Sequence, residues 1–348
     1  MRNKVTVGNI EIGGGAPISV QSMTKTDTSN IDATVAQIHK LEKAGCQIVR
    51  CAVPDEKAAN ALGKIISQIN IPLVADIHFN YKLAIMAAEA GASKLRLNPG
   101  NIGDLNKIKA VVAAAKEHKI PIRIGVNSGS LEKELKKKYH HVTAEALVAS
   151  ALKNVRILEK LNFFDIVVSI KATSVPVTLA AYRMITKKIK YPLHVGITES
   201  GIPRIGLVRS SVGIGALLAQ GMGDTIRVSL TGDPAEEVRV GFEILKTLEL
   251  AYHGITVISC PTCGRCKIDL EEIASEVEKQ TRHIRQPLRV AIMGCEVNGP
   301  GEAADADVGL AGGNGVGLIF REGEVVRKVP EAEMIEALVD EIESMAIR

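Results

Sequence analysis

The feature that most constrains this chain is a recurrence: eight short, apolar, β-branched runs, spaced so that one strand and one helix fill each interval. They are Ile18–Met23, Gln47–Val53, Leu73–Phe79, Lys94–Asn98, Ile122–Asn127, Asp165–Lys171, Leu193–Thr198 and Thr225–Leu230. Helical patterns lie between them and stop at glycine: Asp32–Ala44 ends at Gly45, Tyr81–Ala90 at Gly91 and Arg204–Gln220 at Gly221. Eight βα units over about 250 residues predict an α/β chain whose first part is a TIM (β/α)8 barrel. A doubly wound open sheet is the alternative, but no Gly-x-Gly-x-x-Gly follows the first strand. Tryptophan is absent and aromatics are few, while small and branched apolar residues dominate, which suits strands buried on both faces. The leading Lys4–Gly15 segment, with Gly8-Asn9 at its centre, predicts a hairpin that plugs the bottom of the barrel.

In this fold the chemistry lies at the C-terminal ends of the strands, and the polar residues are expected there. Arg50 belongs to strand two, Asp76 and His78 to strand three, and Arg96 and Asn98 to strand four. Arg123 and Asn127 follow on strand five, Lys171 on strand six, Glu199 after strand seven, and Arg227 and Ser229 on strand eight. Five cations at one rim repel one another and are costly to bury unless a polyanion sits among them. Arginine forks suit phosphate oxygens and lysine adds a point charge, so the rim is read as a phosphate or diphosphate site. One or two of the five are expected to pair with Asp76, Glu199 or neighbouring acids instead. Asp76 and Glu199 are the candidates for proton transfer.

The pattern changes after Gly254. A strand at Ile255–Ser259, a cysteine turn, a helix over Ile268–Arg282, a strand at Leu288–Met293, a Gly-rich stretch, a short hairpin and a closing helix from Pro330 form a small α+β unit. The expected domains are 1–251 and 255–348. The turn reads Cys260-Pro-Thr-Cys263-Gly-Arg-Cys266, and Cys295 stands about thirty residues beyond. A zinc ribbon would show a second Cys-x2-Cys pair, which is missing, so the run favours iron–sulfur ligation over zinc. It is not the Cys-x3-Cys-x2-Cys run of radical SAM enzymes. Spacing alone nominates Cys260, Cys263, Cys266 and Cys295 as the four ligands. Cys46 and Cys51 fall in the barrel pattern, Cys46 as core.

Net charge is only +4, which gives no electrostatic case for nucleic-acid binding. The basic run Lys133–Lys138 reads as a solvated helix face. The first residues carry no apolar signal region, and no segment approaches the roughly 18 apolar residues of a membrane span. The expectation is a cytoplasmic protein with reduced thiols, no membrane partner and no nucleic-acid partner.

Six segments together carry a family resemblance. They are Val74-Ala-Asp-Ile-His-Phe79, Arg96-Leu-Asn-Pro-Gly-Asn-Ile-Gly103, Arg123-Ile-Gly-Val-Asn127 with Gly129-Ser-Leu-Glu132, Gly196-Ile-Thr-Glu199, Cys260-Pro-Thr-Cys263 and Asn298-Gly-Pro-Gly-Glu302. Over essentially its whole length the chain resembles the 4-hydroxy-3-methylbut-2-enyl diphosphate synthase family in its bacterial two-domain form. The resemblance implies a [4Fe-4S] enzyme of the non-mevalonate isoprenoid pathway that reductively opens 2-C-methyl-D-erythritol 2,4-cyclodiphosphate and expels a hydroxyl as water. It also implies a cluster held by Cys260, Cys263, Cys295 and Glu302, leaving Cys266 as a neighbour. A carboxylate among thiolates is a hard, exchangeable ligand, so the iron it holds can accept a substrate oxygen. The expected site is then Arg50, Arg96, Arg123, Asn127, Lys171, Arg227 and Ser229 on the substrate, with Glu199 as proton donor and Asp76 and His78 as orienting groups.

Flavodoxin and ferredoxin are both candidate electron donors. The last barrel helix, about Ala235–Tyr252, runs from the catalytic face to the bottom, so a head-to-tail homodimer is expected, each cluster domain capping the partner's barrel. Two rival readings are a phosphate-binding barrel isomerase or aldolase with a structural zinc module, and a non-catalytic cluster carrier.

Overall fold

The computed structural model describes residues 1–295 and 305–346. The chain divides into two compact units, Met1–Ala251 and Tyr252–Arg348.

The first unit opens with β1 (Lys4–Val7) and β2 (Ile10–Gly13), an antiparallel hairpin turning at Gly8-Asn9. Eight parallel strands follow: β3 (Ser19–Met23), β4 (Ile48–Ala52), β5 (Leu73–Asp76), β6 (Lys94–Leu97), β7 (Ile122–Asn127), β8 (Ile166–Lys171), β9 (His194–Val195) and β10 (Thr225–Ile226). Their order in the sheet is β8-β7-β6-β5-β4-β3-β10-β9, and a bridge between Val168 and Leu193 joins the two ends into a barrel. Helices α1 (Ile31–Lys43), α2 (Glu56–Ile66), α3 (Tyr81–Glu89), α4 (Pro99–Ile102), α5 (Leu105–Glu117), α6 (Lys133–Tyr139), α7 (Ala144–Lys160), α8 (Val175–Ile185), α9 (Pro203–Leu218) and α10 (Pro234–Thr247) occupy the connections. The loops leaving the strands end in residues that cap the next helix: the side chains of Asn30, Asp55, Asn80, Asp104, Thr143, Ser174 and Asp233 each accept from a first-turn N–H. Such caps satisfy orphan donors and fix where each helix starts. The lysine-rich α6 has no buried residue, as a solvated face requires.

Strand parity divides the barrel into two chemistries. Outward positions such as Leu95, Leu97, Ile122, Ile124, Ile166 and Val168 join the apolar layer beneath the helices. The alternate positions, Lys94 and Arg96 on β6, Arg123 on β7 and Ser169 and Lys171 on β8, are polar and equally buried. At the lower end the hairpin residues Val7 and Ile12 pack on Ile48 and Val74, while Gly8 lies against Pro72 and Gly13 against Pro192, the residues that precede β5 and β9. The hairpin therefore closes the barrel where the strands begin.

β9 and β10 are shorter than the sequence pattern suggested. At Gly196 a Cβ would lie 2.4 Å from the Arg227 carbonyl oxygen and 2.8 Å from Lys171 Nζ, so side chain and backbone crowd the place where the ladder would continue. The rim expectation also needs correction. Lys171, Asp76 and Asn127 do end their strands, but Arg50 sits in mid-strand and Arg123 is the second residue of β7, 1% exposed.

The second unit is a five-stranded sheet in chain order. β11 (Ile255–Ser259), β12 (Leu288–Met293) and β13 (Val308–Gly312) are parallel, and β14 (Val316–Arg321) and β15 (Glu324–Pro330) continue antiparallel. α11 (Leu270–Gln280) and α12 (Met334–Ala346) pack on it through Ile273, Val277, Leu338 and Ile342. The Gly-rich stretch thus contains a strand that glycine content had hidden. Gly309 is needed in β13 because a Cβ there would lie 2.2 Å from the Phe320 ring.

Candidate active site

At the upper end of the barrel a small cavity of about 40 Å³ is lined by Arg50, Arg96, Arg123, Asn127, Lys171, Arg227 and Ser229, with Ser169, Ile197 and Thr198 between them. The seven residues read from the sequence as an anion site are thus brought together on one wall of polar atoms.

Asp76 organises one side. Its Oδ1 accepts from Arg96 Nη1 at 2.9 Å, and its Oδ2 lies 3.6 Å from Arg50 Nε and 3.7 Å from His78 Nε2. The Arg50, Arg96 and His78 contacts outweigh the cost of burial and hold the Asp76 carboxyl far below the usual range. Arg96 also donates to the Gly125 carbonyl at 3.2 Å, and it can lie flat across β7 because Gly125 has no Cβ, which would stand 2.3 Å from Arg96 Nε. Glu237 organises the other side. Fully buried at the start of α10, it faces Arg227 Nη2 at 3.4 Å and Lys25 Nζ at 3.2 Å, and accepts from Ser22 Oγ and the Leu230 N–H.

Three of the five cations therefore carry an acid, one more than expected, and Glu199 is not among the partners. Arg123 donates to Gln21 at 3.2 Å, and Lys171 Nζ lies 3.2 Å from His194 Nε2; neither meets a carboxylate among the described residues. Burial pulls Arg50 down to about 9, still protonated at neutral pH, and burial with neighbouring guanidiniums pushes Arg123 and Lys171 well below their usual values. Buried donors without partners remain at Arg96 Nε, Arg123 Nε and Arg227 Nε. A dianion entering this cavity would meet donors that are already aimed and poorly satisfied.

Glu199 is exposed at the rim, directly after the lining residue Thr198, and accepts from Thr173 Oγ1 at 3.4 Å. Its φ of +53° is a left-handed conformation that a non-glycine residue adopts at a cost of about 1 kcal/mol or more. His78 is half exposed above Asp76. Sequence reasoning missed Lys25, Lys94, His194, Gln21 and Glu237. The alternation Lys94-Leu-Arg96-Leu97 was the available sign for Lys94, because residues two apart on a strand share a face.

In the second unit, Cys260 follows β11 and Cys295 follows β12, adjacent parallel strands in which Ser259 pairs with Ile292, so both thiols leave the same sheet edge. The two turns are knitted together: the Gly294 N–H donates to Cys260 Sγ at 3.3 Å and the Lys267 N–H to the Gly294 carbonyl at 2.9 Å. Cys263 is exposed, and the Arg265 backbone N–H, aided by the Arg265 charge, holds its thiol below the usual value. Cys266 Sγ donates to the Ile268 carbonyl at 3.3 Å. Burial pushes Cys46 up to about 12 and Cys51 to about 11, which fits inert core thiols. All six cysteines are free. Among the described residues no three metal-binding side chains converge; Glu302 and its Asn-Gly-Pro-Gly motif lie outside the described residues. The donor set at this edge, two soft thiols from the turn and a third from the neighbouring strand end, fits an iron–sulfur cluster.

Fold and site define a class: a TIM barrel with a cation-lined cavity, followed by a thiol-bearing α+β unit. Comparison with known proteins is narrower. The GcpE TIM-barrel domain matches residues 2–242 and the GcpE protein C-terminal domain residues 256–344. The chain is 61% identical to the 4-hydroxy-3-methylbut-2-en-1-yl diphosphate synthase (flavodoxin) of Geobacter sulfurreducens, covering 98% of this chain and 97% of the relative. It is 58% identical to the protein of the same name from Caldanaerobacter subterraneus subsp. tengcongensis, covering 99% and 97%. Among solved structures, dihydropteroate synthase from Xanthomonas albilineans resembles it with a TM-score of 0.50 at 13% identity, over 72% of this chain and 98% of that one, a likeness of fold alone. The chain belongs to the GcpE family.

Proposed function

We propose that the chain catalyses the two-electron reductive ring opening and dehydroxylation of 2-C-methyl-D-erythritol 2,4-cyclodiphosphate to 4-hydroxy-3-methylbut-2-enyl diphosphate, with flavodoxin as electron donor. The observation that carries the substrate reading is the barrel cavity, where four arginines and Lys171 surround one space and two carboxylates engage only three of them. The relatives' names supply the product and flavodoxin, and the cyclodiphosphate substrate is what the family resemblance implies. Neither rival reading is favoured by any observation.

The chain's own residues divide the work. Arg50, Arg96, Arg123, Lys171 and Arg227 bind the diphosphate, with Asn127 and Ser229 donating or accepting at its edges. Asp76 fixes the angle of Arg96 and Arg50, and its locked charge suits orientation better than proton transfer. His78 closes over that pair. Glu199 has solvent access and follows the lining residue Thr198, which supports the reading of it as the residue that protonates the departing hydroxyl. Cys260, Cys263, Cys295 and Glu302 would hold a [4Fe-4S] cluster, which when bound supplies electrons one at a time.

The same reading includes a head-to-tail homodimer. α10 starts where Glu237 meets Arg227, and its 14 residues run about 20 Å along the barrel away from that end. Consumption of the cyclodiphosphate by the anaerobically reconstituted enzyme with a chemical reductant tests the reaction, and no product would defeat it. Mixing Glu199→Gln with Cys263→Ser chains tests the dimer: if each cluster serves the partner's barrel, the mixed dimer regains one working site, whereas persistent inactivity refutes that pairing.

A further inference from the structure

Beneath the cavity lies a cation that is not among its lining residues and that the binding scheme above does not use. Lys94 is the first residue of β6, 0% exposed, and its Nζ has no hydrogen-bond partner. It shares the inward face of β6 with Arg96, one step closer to the plug. β4 contributes Arg50 and β7 contributes Arg123, the two charges that act on the amine most strongly. From β9 comes His194, whose imidazole feels Lys94 and has an unpartnered Nδ1, and from β8 comes Lys171, bonded to that imidazole. β5 contributes Asp76, already engaged by Arg50 and Arg96. β3 contributes Ser19 and Gln21, uncharged and with unpartnered atoms. Towards the plug lies an uncharged apolar cluster of Val7, Ile12, Ile48 and Val74. Burial, then Arg123 and Arg50, hold the amine well below its usual value.

We propose that Lys94 is a reserve cation of the anion site, a positioning residue that answers the bound diphosphate from below by taking up a proton as the substrate enters. The physical reason is reciprocal. In the empty barrel a sixth positive charge has guanidiniums for neighbours and no counter-ion. A diphosphate placed among Arg50, Arg96 and Arg123 reverses the local potential, which restores the charged amine and steadies the two arginines that stand between it and the anion. The inference rests on the substrate reading above. The chemistry of that substrate makes it testable: in a cyclic diphosphate each phosphorus carries one strongly acidic hydroxyl, so the ligand is a dianion throughout the neutral range. A proton taken up on binding therefore goes to the protein.

The experiment is calorimetric titration of the cluster-loaded enzyme with the cyclodiphosphate, without reductant, in two buffers of different ionisation enthalpy from about pH 6.5 to about pH 9. Wild type is expected to bind with net proton uptake. Its affinity should fall as pH rises, by up to about tenfold per pH unit for one linked proton. In Lys94→Met the uptake and the pH slope are expected to diminish together, with a raised KM and a kcat much closer to wild type. The empty variant should melt no lower than wild type, since it loses an unsatisfied buried donor. Lys94→Gln provides the same comparison if the methionine variant does not accumulate. Binding without proton uptake, or uptake undiminished in the variants, overturns the role of Lys94 and leaves the substrate assignment intact. Failure of the cyclodiphosphate to bind at all overturns both.

Discussion

Neutralising Asp76 is the most informative single perturbation of the barrel. The carboxylate is 5% exposed and Arg96 6%, so solvent screens their 2.9 Å pair little, and Arg50 at 3.6 Å shares the same acid. Asp76→Asn keeps the shape but leaves two buried guanidiniums facing an amide. Breaking a buried pair in this way costs about 3–5 kcal/mol. For a unit of this size that corresponds to a melting temperature lower by roughly 6–20 °C, at about 2–4 °C per kcal/mol. The sign of the pH dependence follows from the depressed carboxyl. In the unfolded chain the group titrates near about 3.9, whereas in the folded barrel it titrates far lower. Its stabilisation is therefore fully present above about pH 4 and is lost as pH falls through the folded-state value. Thermal melts followed by circular dichroism at about pH 7 and about pH 3 should show a large gap between variant and wild type at the higher pH and a smaller one at the lower. An equal gap at both, or a variant that melts with wild type at neutral pH, would refute the clamp. Substrate KM should rise as well, because Arg96 loses the contact that sets its angle.

Gly125→Ala places a methyl where Arg96 Nε lies 2.3 Å away, so Arg96 must leave its bed and KM should rise roughly tenfold to a hundredfold, the worth of one charged hydrogen bond; an unchanged KM would show that Arg96 binds nothing. Glu199→Gln should lower kcat by about 10²–10⁴ while calorimetric affinity and iron content stay near wild type. Turnover at the wild-type rate removes Glu199 from the chemistry. Cys266→Ser should retain iron, its thiol being engaged with the Ile268 carbonyl, whereas Cys263→Ser should lose it. Iron analysis and absorption near 400 nm after anaerobic reconstitution decide between this ligand set and the one that spacing alone nominates.

Much of the fold was legible because period and punctuation agree. β7, β11 and β12 begin and end where alternation and flanking turn residues place them, and the helices stop at the glycines that marked them. The hairpin was legible from Gly8-Asn9, and its role as a plug from what remains to be closed at the bottom of a barrel. What escaped is instructive in each case. Glu237 reads in Glu236-Glu237-Val-Arg239 as a surface acid of an amphipathic helix; only closure of β10 onto β3 brings Arg227 and Lys25 to it. Arg50 and Arg123 were expected at the rim because the chemistry of this fold lies at the strand ends, yet they start deeper in their strands and still line the cavity. β13 was obscured because Gly309 and Gly312 lower strand propensity locally while making room for Phe320 and Ile268. Residue pattern records local preference well, and it records a cavity shared by several strands poorly.

A TIM barrel ordinarily fills its interior with layers of branched apolar side chains. Here the inward positions of β6, β7 and β8 carry Lys94, Arg96, Arg123, Ser169 and Lys171, and several of their donors are unpaired. Apart from the ion pairs that Asp76 and Glu237 make, that interior contributes little to stability in the empty protein, so the fold rests mainly on the outward faces, where the strands meet the helices, and on the plug around Val7, Ile12, Ile48 and Val74. The two faces of the same strands thus answer to different demands. Outward substitutions such as Ile124→Ala should cost about 2–5 kcal/mol with or without ligand. Substituting the inward cations that meet no carboxylate among the described residues, Arg123 and Lys171, should instead show its cost chiefly in anion binding, and ligand should return much of any missing stability, about 2.7 kcal/mol at a hundredfold excess over Kd. On the function proposed, the barrel is completed by its substrate, and the charge that looks like a folding liability in the sequence is the best guide to what the chain binds.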